Sequence, residues 1–584
     1  MERQPPVAPS DEIDLYVRTY TSLLRSSGDV RVRAFEEVHA FCRSSLHEGA
    51  LSTTPDVSAF AYAAARLPDV MPEVKLVVLG QSHELFEAAG FDVRKWTKVT
   101  TRGRRRPQRY DGAGTLAVFI ASASDIDDLV PIVTAYQIEW NKMHRRLLGS
   151  GARVPPGAAL PAHDALMPLL GIDPDQWAQL VDAFGSARVD AGLRAVASHG
   201  IDLRVRMLAA SHSQYQRAAQ RWWGGVEPAY LRPSSPTRRP AVYFVSSNTH
   251  AIANLVGGSV RAHKDDIIRY ALRADPEGLR GHVERAVASG DEREIAPLLY
   301  YLLRGWIHER PDGERVGAVR KLEAANGLVH LSGPGHIDVD AQLVDLSKLD
   351  PDRIDARLRV PGIERLRESD AIILNIDYPL GMAAYHLLSR LGQGVGEVRG
   401  VYVMGKAATL NGRVGDVALS GVAYDEHSRN TFLFKNAFNA NDVRPWLRHG
   451  SVFDNQSALT VRSAFLQNKR YMNAFYRDGY TVLEMETGPF LSAVYEMVNP
   501  VRVPQNEIVH LSAQVPFDVG FLHYASDTPY SRRQSLLSKS LSYFGVDSTY
   551  ACAIAIVRRI LAQEIARAPS REAQGAGTKY APSE

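Results

Sequence analysis

Two glutamates stand where an apolar segment enters a core. The stretch YTVLEMETGPF, residues 480–490, is typical of a buried strand followed by a helix, and it carries Glu484 and Glu486. Side chains alternate between the two faces of a strand, so both glutamates are expected on one face, with Met485 on the other. A buried carboxylate without hydrogen-bond donors is costly. The expected donors are either an arginine of the protein or the hydroxyl groups of a substrate.

A further acid, Asp527, ends the apolar segment VGFLHYASD near the C-terminal end of the chain. A carboxylic acid at the end of a buried strand can act as a general acid when partial burial raises its pKa. Taken alone, the sequence Asp-Thr-Pro is more typical of a turn or a helix cap. Asp527 and the preceding Ser526 are therefore candidates, beside the alternative that Asp527 only shapes a turn.

Two turns next to predicted strands could bring the backbone close to a ligand. NIDYPLGMAAY joins a strand to a helix through Tyr378 and Gly381, and MGKAATLNG follows a strand with Gly405 and Lys406. Small residues let a backbone approach a ligand closely. A plain tight connection explains both turns equally well.

Two polar segments have a simpler explanation beside a functional one. TRGRRRPQR, residues 101–109, could hold phosphate or an RNA backbone, but charge runs are usually solvated loops. SSNTH, residues 246–250, lies between a strand and a helix and could take up an anion there. Its residue types are equally those that cap a helix, and we expect plain capping.

Composition excludes several classes of protein. The 584 residues carry a net charge of +3, which gives no reason to expect nucleic acid or a membrane surface as a partner. Two cysteines are too few for a disulfide framework and fit a reducing compartment. The N-terminus has no apolar segment of the secretory type, and no apolar run is long enough to span a membrane. We predict a cytoplasmic protein.

The order of elements predicts an α/β protein of several domains. Strands alternate with helices most regularly after about residue 365, which favours a largely parallel sheet with ligands at the carboxyl ends of its strands. The predicted division is into disordered termini, an N-terminal α/β region, a helix-rich middle region and a C-terminal α/β domain. Their bounds are 1–10 and 568–584 for the termini, then 11–150, 151–335 and 336–567.

Three segments of the C-terminal domain, the first of which carries two motifs, resemble the purine nucleoside phosphorylase and uridine phosphorylase superfamily, most closely its AMP nucleosidase type. The family's glycine-rich turn, its Gly-Asp-Val, its E-M-E segment and its late Ser-Asp have counterparts in the same order at Gly405–Leu410, Gly415–Val417, Glu484–Glu486 and Ser526–Asp527. The resemblance covers about 365–567, roughly a third of the chain. It implies a nucleoside-phosphorylase-like three-layer domain with a mostly parallel central sheet, joined to a helix-rich α/β N-terminal region.

The resemblance implies cleavage of the N-glycosidic bond of a purine nucleoside or nucleotide. Glu486 would accept hydrogen bonds from the ribose hydroxyls, Met485 would pack against the sugar, and Asp527 would act as the acid toward the leaving base. Glu484 is expected to be paired within the protein, although it stays among the candidates. The family needs no metal or redox cofactor, and its members assemble as homo-oligomers.

The sequence also departs from the family. Lys406 stands near the expected phosphate, Ala408 and Thr409 replace two glycines, and Gly488-Pro489 replaces a small Ala-Ala pair. No clear phosphate-binding turn or arginine is found, so hydrolysis is favoured over phosphorolysis. Two alternatives stay open: a catalytically silent nucleotide-binding or regulatory protein, and an RNA-associated enzyme that uses the arginine-rich segment.

Overall fold

The structure is a computed structural model. It describes residues 11–103, 106–149, 162–208, 211–231, 239–310, 313–333, 337–528 and 543–568. The predicted disordered termini lie outside the described residues, apart from Ala568.

The smaller of two sheets belongs to the N-terminal part of the chain. Its six strands follow the spatial order β1-β6-β2-β5-β4-β3, with β2 parallel to both β5 and β6. The strands are β1 (Asp29–Arg31), β2 (Leu76–Gly80), β3 (Thr97–Val99), β4 (Gln108–Tyr110), β5 (Thr115–Phe119) and β6 (Arg204–Met207).

The larger sheet has eleven strands among the described residues. They are β7 (Ala241–Ser246), β8 (Leu328–Leu331), β9 (Ala341–Asp345), β10 (Ala371–Ile376), β11 (Glu397–Thr409), β12 (Val417–Asp425), β13 (Thr431–Leu433), β14 (Val452–Thr460), β15 (Tyr480–Glu484), β16 (Ile508–His510) and β17 (Asp518–Asp527). Five of them pair in a closed ring, β11-β15-β14-β12-β17 and back to β11.

The helices of the described residues surround these sheets. They are α1 (Asp11–Ser26), α2 (Arg33–Phe41), α3 (Val57–Arg66), α4 (His83–Ala88), α5 (Ala123–Gly149), α6 (His163–Leu170), α7 (Pro174–Phe184), α8 (Val189–Ser198), α9 (His212–Tyr230), α10 (Ala251–Val256), α11 (Ser259–Ala262), α12 (Lys264–Ala274), α13 (Arg280–Ser289), α14 (Glu292–His308), α15 (Glu314–Ala325), α16 (Met382–Gly394), α17 (Ala440–Val443), α18 (Lys469–Arg477), α19 (Thr487–Val498) and α20 (Tyr543–Arg567). None of them is both long enough and apolar enough to cross a membrane.

Alternation along the central strands builds three layers. In β7, Val242 and Phe244 enter a core shared with α9, α16 and α19, whereas Tyr243 and Val245 enter a core shared with α10, α14 and α20. Strands buried on both faces read as continuous apolar runs, which explains the sequence AVYFVS. The predicted fold class, α/β with helices against a mostly parallel central sheet, is confirmed.

Strand pairing crosses two predicted domain boundaries, 150/151 and 335/336. β7, which the sequence placed in the helix-rich middle region, lies between β10 and β11 at the centre of the larger sheet. β6, from the same region, pairs with β1 and β2 of the smaller sheet. The domain bounds themselves stay a prediction, but the middle region contributes strands to both sheets.

The N-terminal part packs directly against the five-stranded ring. One continuous apolar core contains Tyr62 of α3 together with Phe465 and Leu483 from the C-terminal part. The rings of Tyr62 and Phe465 meet edge to face at 5.3 Å between centroids. Residues from the N-terminal and the C-terminal part of the chain therefore come together beside β11 and β15.

Candidate functional site

β11 is the strand on which the candidate motifs converge. It pairs with β17 along one edge and with β15 along the other, so Ser526–Asp527 and Glu484–Glu486 flank the short stretch Gly405–Ala408. Strands separated by one intervening strand lie about 10 Å apart. Three motifs that are far apart in the sequence thus share one small area of the sheet.

A bulge in β17 sets the direction of Asp527. The pairing of β11 with β17 runs from Ala407 opposite Ala525 to Ala408 opposite Asp527, which leaves Ser526 as the extra residue. Bulges re-aim side chains at the ends of strands. The Ser526 hydroxyl donates to Asp527 Oδ2 at 3.1 Å. Burial nevertheless raises the pKa of Asp527, against the lowering effects of Ser526, Lys406 and Arg66.

Two cations stand beside Asp527. Lys406 lies on the same face of the sheet and keeps contact with solvent, yet desolvation lowers its pKa, with Asp527 opposing that shift and Arg66 adding to it. Arg66 comes from the end of α3, where its guanidinium lies 3.4 Å from the ring centroid of Tyr62. Both cations favour the ionised form of Asp527, so its raised pKa is due to burial alone, and the three groups together could hold an anionic ligand.

Glu484 is fully occupied by the protein. It is buried, and its Oε1 accepts the Thr460 hydroxyl at 2.5 Å. Its Oε2 accepts the backbone N–H groups of Glu486 and Thr487, both at 2.7 Å. These N–H groups open α19, so Glu484 satisfies donors that a helix start leaves free. The expectation that Glu484 pairs within the protein agrees with these contacts, and arginine is not the partner.

Met485 and Glu486 follow the strand rather than continue it. β15 ends at Glu484, two residues earlier than the sequence predicted, because Glu484 turns inward to cap α19. Met485 is partly buried against the shared core, and Glu486 is partly exposed at the helix start. The backbone N–H of Met485 donates to Glu486 Oε2 at 3.3 Å. Glu486 is thereby the more accessible of the two glutamates.

The turn after β10 lies at the same edge. The Tyr378 hydroxyl is 2.8 Å from that of Tyr524 on β17, and a Cβ built on Gly405 would lie 3.8 Å from the Tyr378 ring. Gly381 has φ +50° and stands directly against Ser124 of α5, so a side chain at this position would collide. This turn therefore requires glycine and adjoins the stretch Gly405–Ala408.

The two polar segments are used within the protein. Asn248 Oδ1 accepts the backbone N–H of His250 at 3.0 Å and of Ala251 at 2.7 Å, which is the capping that the sequence predicted. The solvated-loop prediction for residues 101–109 is wrong at Arg106, whose buried guanidinium pairs with Asp125 and Asp128.

The remaining arginines of that segment are divided between internal contacts and undescribed positions. Arg102 donates to carbonyl oxygens at the end of α7, and Arg109 donates to the Trp96 carbonyl at 3.1 Å. Residues 104–105 lie outside the described residues. Three of the five arginines, Arg102, Arg106 and Arg109, therefore make contacts within the N-terminal part of the protein.

The structure adds residues that the sequence reasoning did not select. Asp425 is the last residue of β12, His427 follows this strand, and Ser124 lies in the first turn of α5. His427 lies between the other two at hydrogen-bond distance. The rule that ligands bind at the ends of parallel strands could have selected Asp425 and His427, since they directly follow a predicted strand. No sequence signal connects Ser124 with this edge of the sheet.

Comparisons with known proteins give a family without an assigned activity. A family model described as "Family of unknown function (DUF6909)" matches residues 32–562. The chain belongs to this family. No curated protein matches it.

Several solved structures are similar to part of this family member. A putative methylthioadenosine nucleosidase from Weissella paramesenteroides is 14% identical with a TM-score of 0.24, over 33% of this chain and 81% of that one. Purine nucleoside phosphorylase from Toxoplasma gondii, solved with immucillin-H, is 11% identical with a TM-score of 0.27, over 43% and 88%. A methylthioadenosine phosphorylase from an antarctic soil metagenomic library is 9% identical with a TM-score of 0.25, over 34% and 74%. No functional conclusion rests on similarities of this size.

Proposed function

We propose that this protein cleaves the N-glycosidic bond of a purine nucleoside or nucleotide, and that water rather than phosphate accepts the sugar. The observation that carries the proposal is the meeting of two motifs on one stretch of β11. Met485-Glu486 and Ser526-Asp527 flank Gly405–Ala408 from opposite sides, and burial raises the pKa of Asp527.

In the proposed reaction, Asp527 in its protonated form donates to an imidazole nitrogen of the purine as the bond from the sugar to the base breaks. The electron pair of that bond leaves with the base, and positive charge develops on the sugar. A raised pKa keeps an acid protonated nearer to neutral pH, which general acid catalysis requires. Water then adds to the sugar carbon, and the proton that it releases restores the protonated form of Asp527.

Glu486 is the proposed partner of the ribose hydroxyls, and Met485 would pack against the sugar. Glu486 is partly exposed, whereas Glu484 is buried with donors at both of its oxygens. A carboxylate that accepts two hydroxyl groups can fix the orientation of the sugar through charge-assisted hydrogen bonds. This division of roles supports one glutamate for substrate and one for the helix.

Hydrolysis is preferred over phosphorolysis because of residues at the turn of β11. Ala408 and Thr409 continue the strand and pair with Leu483 and Val482, so this stretch forms a ladder with β15 instead of an open glycine turn. Backbone N–H groups engaged in a ladder are not free to bind phosphate. Phosphate as a ligand of Lys406 and a homo-oligomeric assembly remain predictions.

The test is release of free base from a panel of substrates. Purified full-length protein is incubated with AMP, adenosine, inosine and methylthioadenosine, each with and without phosphate. We expect release from at least one of them without phosphate, and a loss of about 10²- to 10⁴-fold in kcat for Asp527→Asn. Glu486→Gln should lower kcat/KM, whereas Asp454→Asn, an exposed acid on β14, should leave it unchanged.

A second candidate function is nucleotide binding without turnover, which the changed glycine turn favours. It predicts a rise in Tm with nucleotide, following RT ln(1 + [L]/Kd), and no free base from any substrate. If all four compounds stay intact and one of them stabilises the protein, glycosidic cleavage is rejected in favour of this candidate.

A further inference from the structure

A buried chain of hydrogen bonds joins the N-terminal part to the candidate site. The hydroxyl of Ser124, at the start of α5, lies 3.1 Å from His427 Nε2. His427 Nδ1 in turn lies 2.9 Å from Asp425 Oδ1. Ser124 and Asp425 are fully or almost fully buried. The chain therefore links two parts of the protein through three side chains shielded from water.

The partners of Asp425 fix the direction of the chain. Its Oδ2 accepts the hydroxyl of Ser428 at 2.6 Å and the N–H of Ser428 at 3.1 Å, and its Oδ1 accepts the N–H of His427 at 3.1 Å. Although burial opposes ionisation, His427 and Ser428 hold the pKa of Asp425 below its usual range. An ionised Asp425 accepts the Nδ1–H of His427, which leaves Nε2 to accept the hydroxyl proton of Ser124.

Serine, histidine and aspartate form the catalytic triad of many acyl-transfer enzymes, in which the serine is the nucleophile. Here the surroundings of Ser124 exclude that role. Its Oγ accepts the N–H of Met382 at 3.0 Å, and Gly381 lies so close that a Cβ there would stand 2.3 Å from that oxygen. An acyl group has no room at Ser124, which is wholly buried.

The two ends of the chain touch two different turns. Ser124 holds the N–H of Met382, in the turn that carries Tyr378 and Gly381. Asp425 packs against Gly488 just after Glu486, where a Cβ would stand 2.4 Å from that of Asp425. A side chain at Gly381 or at Gly488 would therefore displace the turn that carries it from the stretch Gly405–Ala408. Both turns carry candidate substrate contacts.

We propose that Ser124, His427 and Asp425 are positioning residues that hold the Tyr378–Gly381 and Glu486–Gly488 turns in register for substrate. The claim rests on the proposed function for its kinetic consequence, but not for its structural one. It gives the N-terminal part a task, since Ser124 belongs to that part of the chain. Remote groups of this kind affect kcat/KM through small displacements of the groups that bind substrate.

The first test needs no substrate. Hydrogen exchange followed by mass spectrometry compares full-length wild type, Ser124→Ala and the isosteric Asp425→Asn. We expect exchange about three- to tenfold faster in peptides covering 377–386 for Ser124→Ala, because the N–H of Met382 loses its acceptor. Asp425→Asn should accelerate exchange in 484–491 as well. Ser26→Ala, which removes an exposed hydroxyl on α1, serves as the matched control.

The second test uses whichever nucleoside or nucleotide the wild type cleaves. Ser124→Ala should raise KM about tenfold or more and leave kcat within about threefold, because the turns bind ground state and transition state alike. If the wild type cleaves nothing, the proposed function fails while the exchange result still decides the positioning claim. The two failures are thus distinguishable.

Three outcomes would overturn the proposal. Unchanged exchange at both turns in Ser124→Ala and Asp425→Asn would show that the chain holds neither of them. Equal acceleration in peptides of β7 and β10 would show a general loss of stability instead of local positioning. Covalent labelling of Ser124 by a fluorophosphonate would show that it is a nucleophile after all.

Discussion

Two groups of buried charge in this protein have opposite characters. In the N-terminal part, Glu139 is completely buried and contacts Lys142 and His47, each at 2.6 Å. At the C-terminal site, Asp527 is partly open and its pKa is raised by burial. The carboxylate of Glu139 has a countercharge and hydrogen-bond donors within the protein. The carboxyl group of Asp527 lies where burial makes its ionisation unfavourable. The contrast separates a group that stabilises the fold from one that we propose acts on a ligand.

Glu484 belongs with Glu139 in this comparison, although its sequence neighbours suggest catalysis. Three donors of the protein surround it: one hydroxyl and two backbone N–H groups. The number of internal donors, more than burial or sequence context, distinguishes the two kinds of carboxylate. Changing Glu139, Glu484 and Asp527 each to the corresponding amide therefore tests the comparison. The measured quantity is the sign and the size of the change in the free energy of unfolding.

The largest effect on stability is expected from Glu139→Gln. The change leaves the ammonium of Lys142 buried without a countercharge, and removing one partner of a buried ion pair costs about 3–5 kcal/mol. The measurement is urea unfolding at pH 7.5 followed by peptide-resolved hydrogen exchange. Glu48→Gln, whose side chain is largely exposed, is the matched control. A loss below about 1 kcal/mol would mean that the cluster is not a stabilising one.

Glu484→Gln should cost less, about 1–3 kcal/mol, since an amide oxygen still accepts from one or two of the same donors. The loss should be local, with faster exchange at the start of α19 and little change in β7. Thr460→Val removes the donor to Oε1 and provides the control from the other side of the bond. Full stability combined with lost activity would place Glu484 among the substrate contacts and break the comparison.

A pH effect is expected from the histidine next to the Glu139 cluster. Burial lowers the pKa of His39 well below its usual range, with His47 and Lys142 adding to the shift. As the pH falls below about 6.5, His39 becomes protonated in the unfolded chain but stays neutral in the folded protein. The free energy of unfolding therefore falls by up to about 1.4 kcal/mol per pH unit. Burial also lowers the pKa of His386 and of His523, so these two residues contribute to the same loss of stability. The contribution of His39 must therefore be measured as a difference between wild type and a His39 variant.

That difference is the slope of stability against pH in wild type and in His39→Gln. The slope between pH 7 and pH 5.5 should be shallower in the variant, by urea unfolding at each pH. His449→Gln, at an exposed position, should keep the wild-type slope. Equal slopes in all three proteins would show that His39 is protonated in the folded state.

The fold was predictable where strands are apolar throughout. β10, β17 and the helix α20 fall where their apolar runs predicted them. The start of β11 does so as well, but the strand continues to Thr409 through residues that the sequence predicted as a turn after Gly405, so that prediction is wrong. β14, Val452–Thr460, escaped prediction because only Ala458, Leu459 and Thr460 are buried, and residues 454–457 between them and the apolar start are polar. A strand that is buried over only a third of its length leaves little apolar pattern in the sequence, even though it is paired from end to end.

The candidate site could be proposed from the sequence only at residues that end predicted strands, and their roles stay predictions. Asp527 and Glu486 could be selected because each follows an apolar run, and the same rule would have reached Asp425. Ser124 could not be found, since it lies 258 positions from its partner Met382. Arg106 was misjudged for a similar reason: its partners Asp125 and Asp128 lie three residues apart on α5 and face it together only in the folded chain.

The smallest effect, and the one with the opposite sign, is expected from Asp527→Asn. The folded protein holds the proton of Asp527 more tightly than the unfolded chain, so the wild type loses stability as the pH rises through the raised pKa. Asparagine carries no charge to desolvate, and the variant should be more stable at pH 8 by about 0.5 kcal/mol. The gain should vanish near pH 3.5, where both states bind the proton, and Asp454→Asn should show no such dependence. Groups kept for function often reduce stability in this way. If Asp527→Asn instead destabilises the protein at pH 8 as Glu484→Gln does, Asp527 is another internal acceptor and the distinction between the two kinds of carboxylate fails.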